Sequence, residues 1–163
     1  MNSERIKQEF GSFGIDVIES SDQRRISSLY SLEDGRKVCR TYALVEFSDS
    51  IGAALAEEHA LVLSGQPIGA VFKARGWTIT KRLTRVGTLT LDEDSVDIAG
   101  PMSLEIPRKV ALHSYVFEVK KQGAAFDYAA ITEIHHPLYL TETDLHSLYG
   151  APIVRNRDPA QVG

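Results

Sequence analysis

Cysteine is almost absent from this sequence, because Cys39 is the single cysteine among 163 residues. A lone cysteine forms no disulfide within the chain and no cysteine cluster for zinc, and it is typical of a protein from a reducing compartment. Long apolar runs are also lacking, both of the length of a membrane span and of the shorter length of a signal peptide. We therefore expect a cytoplasmic protein without a membrane partner, and the length suits one domain over residues 1–163.

An excess of positive charge is missing as well. The sequence has 18 Lys and Arg against 22 Asp and Glu, which gives a net charge of -4 and argues against nucleic acid as the main partner. It also has no glycine-rich phosphate loop, no Gly-x-Ser-x-Gly elbow and no His-Glu-x-x-His motif. These absences disfavour nucleotide-driven, serine-hydrolase and zinc-protease chemistry.

Two β-hairpins are predicted from strand-like runs that flank turn residues. Runs 26–32 and 37–47 flank Asp34 and Gly35, and runs 109–120 and 126–135 flank a turn with Gln122 and Gly123. In the second run, alternation places Cys39, Thr41, Ala43, Val45 and Phe47 on the core face, where Cys39 is a packed core cysteine.

Helices are predicted between and after the hairpins. The spacing of apolar residues predicts a helix of about four turns over 48–65, and Pro67 opens a second helix over 68–74. Thr141 and Asp144 form a capping-box-like start to a short helix that ends at Gly150. Residues 88–107 are expected to be a short strand and a loop, and 156–163 to fray. The pattern indicates an α+β fold with an antiparallel sheet.

Glu133 is the acidic residue of most interest because it shares a strand face with small and apolar neighbours. Burial there raises a carboxyl pKa unless a cation or hydrogen bonds hold the group ionised. Arg24, Arg25 and Arg40 are the candidate partners, and a structural ion pair or an exposed carboxylate is the alternative interpretation.

No metal site is expected from the histidines. His135 and His136 are neighbours on a strand, so their side chains point to opposite sides of the sheet.

Four segments, in this order along the chain, resemble the chorismate lyases and, more loosely, the ligand-sensing domains of the UTRA type. They are Ile6 to Phe10; Arg25 with Asp34-Gly35 and Arg40-Thr41; Gln66-Pro67-Ile68-Gly69 with Phe72; and Thr132-Glu133 with Pro137, Leu138 and Tyr139. The resemblance implies an antiparallel sheet with helices packed on one side and a ligand held between the sheet and residues 67–74.

The resemblance also implies an activity, the conversion of chorismate to 4-hydroxybenzoate and pyruvate without a metal or organic cofactor. The carboxylate-binding arginine falls on Arg25, with Arg24 as the alternative, and the catalytic glutamate falls on Glu133, which would act as an acid. Further contacts to the substrate fall on Ile6, Cys39, Arg40 and Ile68.

Three interpretations therefore stay open. The chain is an enzyme of this kind, a domain that binds a small carboxylated or aromatic ligand without turnover, or a structural domain whose Arg and Glu form ordinary ion pairs.

Overall fold

A six-stranded antiparallel sheet is the centre of the computed structural model, which describes residues 1–150. The strands are β1 (Gly14–Ser20), β2 (Arg24–Glu33), β3 (Arg36–Phe47), β4 (Thr78–Leu91), β5 (Arg108–Lys121) and β6 (Ala124–His135), in the order β1-β2-β3-β6-β5-β4. Two three-stranded meanders are thus joined where β3 pairs with β6. The fraying expected for 156–163 lies outside the described residues.

The helices are short. They are α1 (Asn2–Phe10), α2 (Ala56–Leu63), α3 (Ile68–Ala74), α4 (Val96–Ala99) and α5 (Glu142–Tyr149). Within residues 1–150, no helix has the length and apolar character needed to cross a lipid bilayer.

Both predicted hairpins are present, and their turns have the expected chemistry. Asp34 and Gly35 have φ angles of 50° and 77°, and Gln122 and Gly123 have 50° and 80°. Two successive residues with positive φ are typical of a type I′ turn, whose twist matches that of the flanking strands.

The helices after Pro67 and after Thr141 are also confirmed, whereas the helix predicted over 48–65 is shorter. α2 begins only at Ala56, after a 3-10 turn at Ala53–Leu55. Gly52 interrupts the helix because its backbone is extended, with φ -89° and ψ -176°.

Both faces of the sheet are covered, which corrects the expectation that the helices pack on one side. Ala43 and Val45 face the side covered by α1, α2, α3 and α5, hereafter the helix face. On the opposite face, Tyr42 packs with Ala99 of α4 and with Met102. Residues 88–107 are therefore the end of β4, a 3-10 turn and a covering helix, because the apolar side chains on this face also need to be buried.

The strand pairing of residues 1–150 contains four register shifts, and two of these β-bulges decide which face the candidate site residues share. In the first, Leu29 pairs with Thr41 and Tyr30 with Cys39, so Arg40 is the extra residue. The bulge turns Cys39 to the opposite face, where it packs in the cluster of Tyr42. The expectation that Cys39 shares a face with Thr41 is therefore wrong, although it is buried as predicted.

The second bulge lies in β6. Phe117 pairs with Ala129 and Glu118 with Asp127, so Tyr128 is the extra residue. Beyond this bulge the pairing is shifted by one residue, and His113 lies opposite Glu133.

Candidate functional site

A small cavity of about 80 Å³ lies on the helix face, between the sheet, α1 and α3. Its polar lining residues are Asn2, Ser3, Arg25, Lys81, Tyr115 and Glu133. Most of its other lining residues are apolar, and Ile68 of α3 is one of them. Exposed Lys81 therefore lies at the rim, whereas Arg25 and Glu133 lie in the interior.

The pairing register brings Arg25 and Glu133 to this cavity. Arg25 lies opposite Val45, and Val45 lies opposite Ile131, two residues before Glu133 on β6. Glu133 itself pairs with Ala43, so the two charged residues stand on neighbouring rows of the sheet.

Arg25 is a buried cation, with 3 % of its surface exposed. One terminal nitrogen donates hydrogen bonds to the carbonyls of Val62 at 3.0 Å and Gln66 at 2.8 Å. The Nε atom has no hydrogen-bond partner, and in residues 1–150 no carboxylate lies within 4 Å of the guanidinium. Burial lowers the pKa of Arg25, and the charge is left with neither a counter-ion nor full hydrogen bonding.

Its neighbour Arg24 is different. Arg24 is exposed and forms an ion pair of 2.9 Å with Glu19 on β1. The structure therefore directs Arg25, and not Arg24, to the cavity.

Glu133 is also buried, with 6 % of its surface exposed. Its Oε2 atom lies 3.1 Å from His113 Nε2, and its Oε1 atom accepts a hydrogen bond of 3.3 Å from the Tyr115 hydroxyl. Burial raises the pKa of Glu133, but the hydrogen bond from His113 and the positive charge of Lys81 oppose this effect, and the net shift of the pKa is downward.

Hydrogen bonds therefore outweigh the effect of burial and hold the carboxylate ionised at neutral pH. Its hydrogen-bond partners are a histidine and a tyrosine, not Arg24, Arg25 or Arg40. Burial and the nearby Glu133 charge hold the pKa of Tyr115 well above its usual value, so its hydroxyl stays protonated as a donor.

A chain of buried polar side chains continues from Glu133 towards α1. His113 Nδ1 lies 3.0 Å from His135 Nε2, and His135 Nδ1 lies 2.8 Å from Thr41 Oγ1. Asn2 of α1 donates to Thr41 at 3.1 Å. We call Glu133, His113, His135, Thr41 and Asn2 the Glu133 chain.

Three members of this chain are of types that can bind metals. Donor atoms of His113, Glu133 and His135 lie within 4.8 Å of one another. Both ring nitrogens of His113 are already engaged, one with Glu133 and the other with His135. The three residues are therefore linked by hydrogen bonds to one another.

Of the other residues expected at the site, only Ile68 lines the cavity. Ile6 is buried in a neighbouring apolar cluster, and Cys39 lies on the opposite face of the sheet. Arg40 Nε donates to Ser31 at 2.9 Å, and its guanidinium lies 3.7 Å from the Phe10 ring centre. Cys39 and Arg40 are displaced because the bulge at Arg40 interrupts the alternation of β3.

Sequence reasoning missed His113, Tyr115 and Lys81. His113 and Tyr115 alternate on one face of β5, but the bulge at Tyr128 decides which β6 residues they meet. Lys81 follows an exposed Thr-rich stretch of β4, and no sequence motif distinguishes it from the other surface lysines.

Comparison of the sequence with models of known protein families finds no match, and comparison with curated proteins finds none either.

Proposed function

We propose that the protein is an enzyme that eliminates pyruvate from chorismate to give 4-hydroxybenzoate. One observation carries the proposal: a buried guanidinium with an unpartnered nitrogen and a buried, ionised carboxylate line the same cavity. The resemblance of four ordered segments to the chorismate lyases supports the same conclusion.

The charges of the cavity suit a dianion. Arg25 and Lys81 contribute two positive charges, and Glu133 contributes one negative charge. The ring carboxylate of chorismate would complete the hydrogen bonding of Arg25 and neutralise it, since guanidinium pairs well with carboxylate. The second carboxylate of the substrate would then meet Lys81 at the rim.

An ionised Glu133 acts as a base in this reaction, in place of the acid expected from the sequence. Its carboxylate removes the proton from the ring carbon that bears the hydroxyl, and the electrons of that C–H bond complete the aromatic ring. The ether C–O bond on the adjacent ring carbon breaks, and its electrons pass to the enolpyruvate oxygen. Return of the proton to the enolpyruvate methylene carbon gives pyruvate, so atoms and charge balance without a co-reactant.

The size of the cavity requires its cover to move. A cavity of about 150 Å³ accommodates benzene, whereas this one measures about 80 Å³. Binding of a substituted ring therefore displaces α1 or the Pro67–Gly69 segment, both of which line the cavity.

The test is to incubate the purified protein with chorismate and to measure 4-hydroxybenzoate by absorbance and pyruvate with a coupled enzyme. Glu133→Gln should lower kcat by about 100-fold or more while 4-hydroxybenzoate still binds. Arg25→Ala should weaken that binding by roughly 30-fold, equivalent to about 2 kcal/mol. Arg24→Ala is the matched control and should behave as wild type.

The second candidate is a domain that binds a carboxylated aromatic ligand without turnover. The unpartnered Nε atom of Arg25 favours this binding domain as much as the enzyme, because an anionic ligand can complete its hydrogen bonding whether or not a reaction follows. A melting temperature raised by 4-hydroxybenzoate, with no pyruvate formed from chorismate, would select this function. Neither turnover nor binding would contradict both candidates.

A further inference from the structure

The Glu133 chain is closed to solvent along its length. His113 is 2 % exposed, His135 0 % and Asn2 4 %. Beyond Asn2, its side-chain oxygen accepts a hydrogen bond from the buried hydroxyl of Tyr139. The hydrogen-bond partners of these buried side chains in the structure are therefore neighbouring side chains.

This arrangement fixes the direction of the hydrogen bonds. The Tyr139 hydroxyl donates to the Asn2 side-chain oxygen, which fixes the orientation of the Asn2 amide. The amide nitrogen therefore faces Thr41 and donates to its hydroxyl oxygen. The Thr41 hydroxyl proton then has one acceptor among the described residues, His135 Nδ1. Burial lowers the pKa of His135 to about 3, so its ring is neutral and carries its proton on Nε2.

The direction continues to the carboxylate. His135 Nε2 donates to His113 Nδ1, and His113 Nε2 is the donor that faces Glu133 Oε2 at 3.1 Å. The chain is thus a row of donors that all point towards Glu133, and no member of it is free to accept a proton from the carboxyl.

We propose that His113 is a positioning residue for Glu133. His135 holds the His113 ring with Nε2 as the donor to Glu133 Oε2, and this hydrogen bond keeps the carboxylate ionised. The other oxygen, Oε1, lies beside Tyr115 and takes the substrate proton. The inference rests on the proposed function for its catalytic meaning. Its physical content, the control of Glu133 ionisation by His113, does not depend on turnover.

Charged and titratable groups from several elements surround this pair. Tyr149 of α5 stacks on His113 with 4.4 Å between ring centres, and Arg5 of α1 donates to the Tyr149 hydroxyl at 3.0 Å. Within residues 1–150, the other groups that face the pair are Arg5, Arg25, Lys81, Tyr115, His135, Tyr139 and Tyr149. Of the described residues, His113 and Tyr115 contact the Glu133 carboxylate through hydrogen bonds.

The experiment compares two substitutions of His113. Glutamine places an amide N–H near the position of Nε2 and preserves the donor, whereas leucine removes it. We expect the acidic limb of the kcat/KM profile to move up by about two pH units or more in His113→Leu and to stay near that of wild type in His113→Gln. Ser114→Ala is the control, because it removes a 2.8 Å hydrogen bond to Thr132 from the same strand pair without touching the chain.

NMR provides the readout that is independent of turnover. In wild type, ¹⁵N spectra should show the protons of His113 and His135 on Nε2, and the side-chain ¹³C resonance of Glu133 should show an ionised carboxylate down to about pH 3. In His113→Leu that resonance should titrate about two pH units higher or more, and His113→Gln should restore the wild-type behaviour.

The outcomes separate the two proposals. Absence of pyruvate from wild type with the NMR results as expected would end the proposed reaction and leave the role of His113 standing. A proton on His113 Nδ1 alone, or an equal acidic limb and Glu133 titration in wild type and His113→Leu, would overturn the inference. Stoichiometric Zn²⁺ binding that shifts both histidines would also overturn it, in favour of a metal site.

Discussion

Two buried charged residues, Glu133 and Arg25, line the same cavity, and they differ in how completely their neighbours satisfy their hydrogen bonding and charge. Glu133 is surrounded by donors, so its ionised form is stabilised although burial opposes it. Arg25 keeps one nitrogen unpartnered and has no carboxylate nearby. This difference between the two charges is the basis of the proposal that the cavity binds an anionic ligand.

The buried His135 predicts a pH dependence of stability. Its pKa is about 3 in the folded protein and near 6.5 when unfolded, so the contribution of its neutral form is complete above pH 6.5 and is lost as the pH falls towards 3. Glu133 adds to the loss below pH 4.5, because its folded pKa is about 2.

Urea unfolding between pH 6 and pH 4 tests this prediction. The free energy of unfolding of wild type should fall more steeply than that of His135→Gln, by about 1.4 kcal/mol per pH unit, the value for one proton. Parallel curves for the two proteins would show that His135 is not held neutral by the fold.

At the scale of elements, the turn of the first hairpin depends on a glycine with positive φ. Gly35 has φ 77°, whereas Gly52 has φ -89°, and an added Cβ meets no atom within 4 Å at either position. Gly35→Ala should therefore lower the free energy of unfolding by about 1–2 kcal/mol, and Gly52→Ala should change it little. Denaturant titration of the two variants measures the difference, and equal effects would contradict the assigned turn.

The hairpins could be predicted because their turns and alternation are local. The bulges at Arg40 and Tyr128 could not, since an extra residue in a strand leaves the apolar pattern on either side intact. Arg25 and Glu133, which the resemblance placed at the site, do line one cavity. The pairing of Glu133 with His113 could not be predicted, because it depends on the bulge at Tyr128. The covering role of α4 was missed because its four residues are too few for a helical period to show.

For the whole molecule, the small volume of the cavity predicts that binding of a ring moves the residues that line it. Amide hydrogen exchange in α1 and in Pro67–Gly69 should slow when 4-hydroxybenzoate binds, because the ligand stabilises these segments in their folded position. Exchange in α4, on the opposite face, should not change and is the internal control. Unaltered exchange in both regions, with the ligand bound, would show that the ring enters without moving these segments.

The seam between β3 and β6 has a consequence for how the molecule folds. Thr41 and His135, which meet across it, are 94 positions apart in sequence, whereas every other strand pair joins neighbours along the chain. Contacts between residues so far apart in sequence form slowly, because closing a long loop costs chain entropy before the contacts form that offset this cost. Arg25 belongs to the first meander and Glu133 to the second. A folding intermediate in which only one meander has formed therefore contains one of the two buried charges and has not yet formed the cavity that they share.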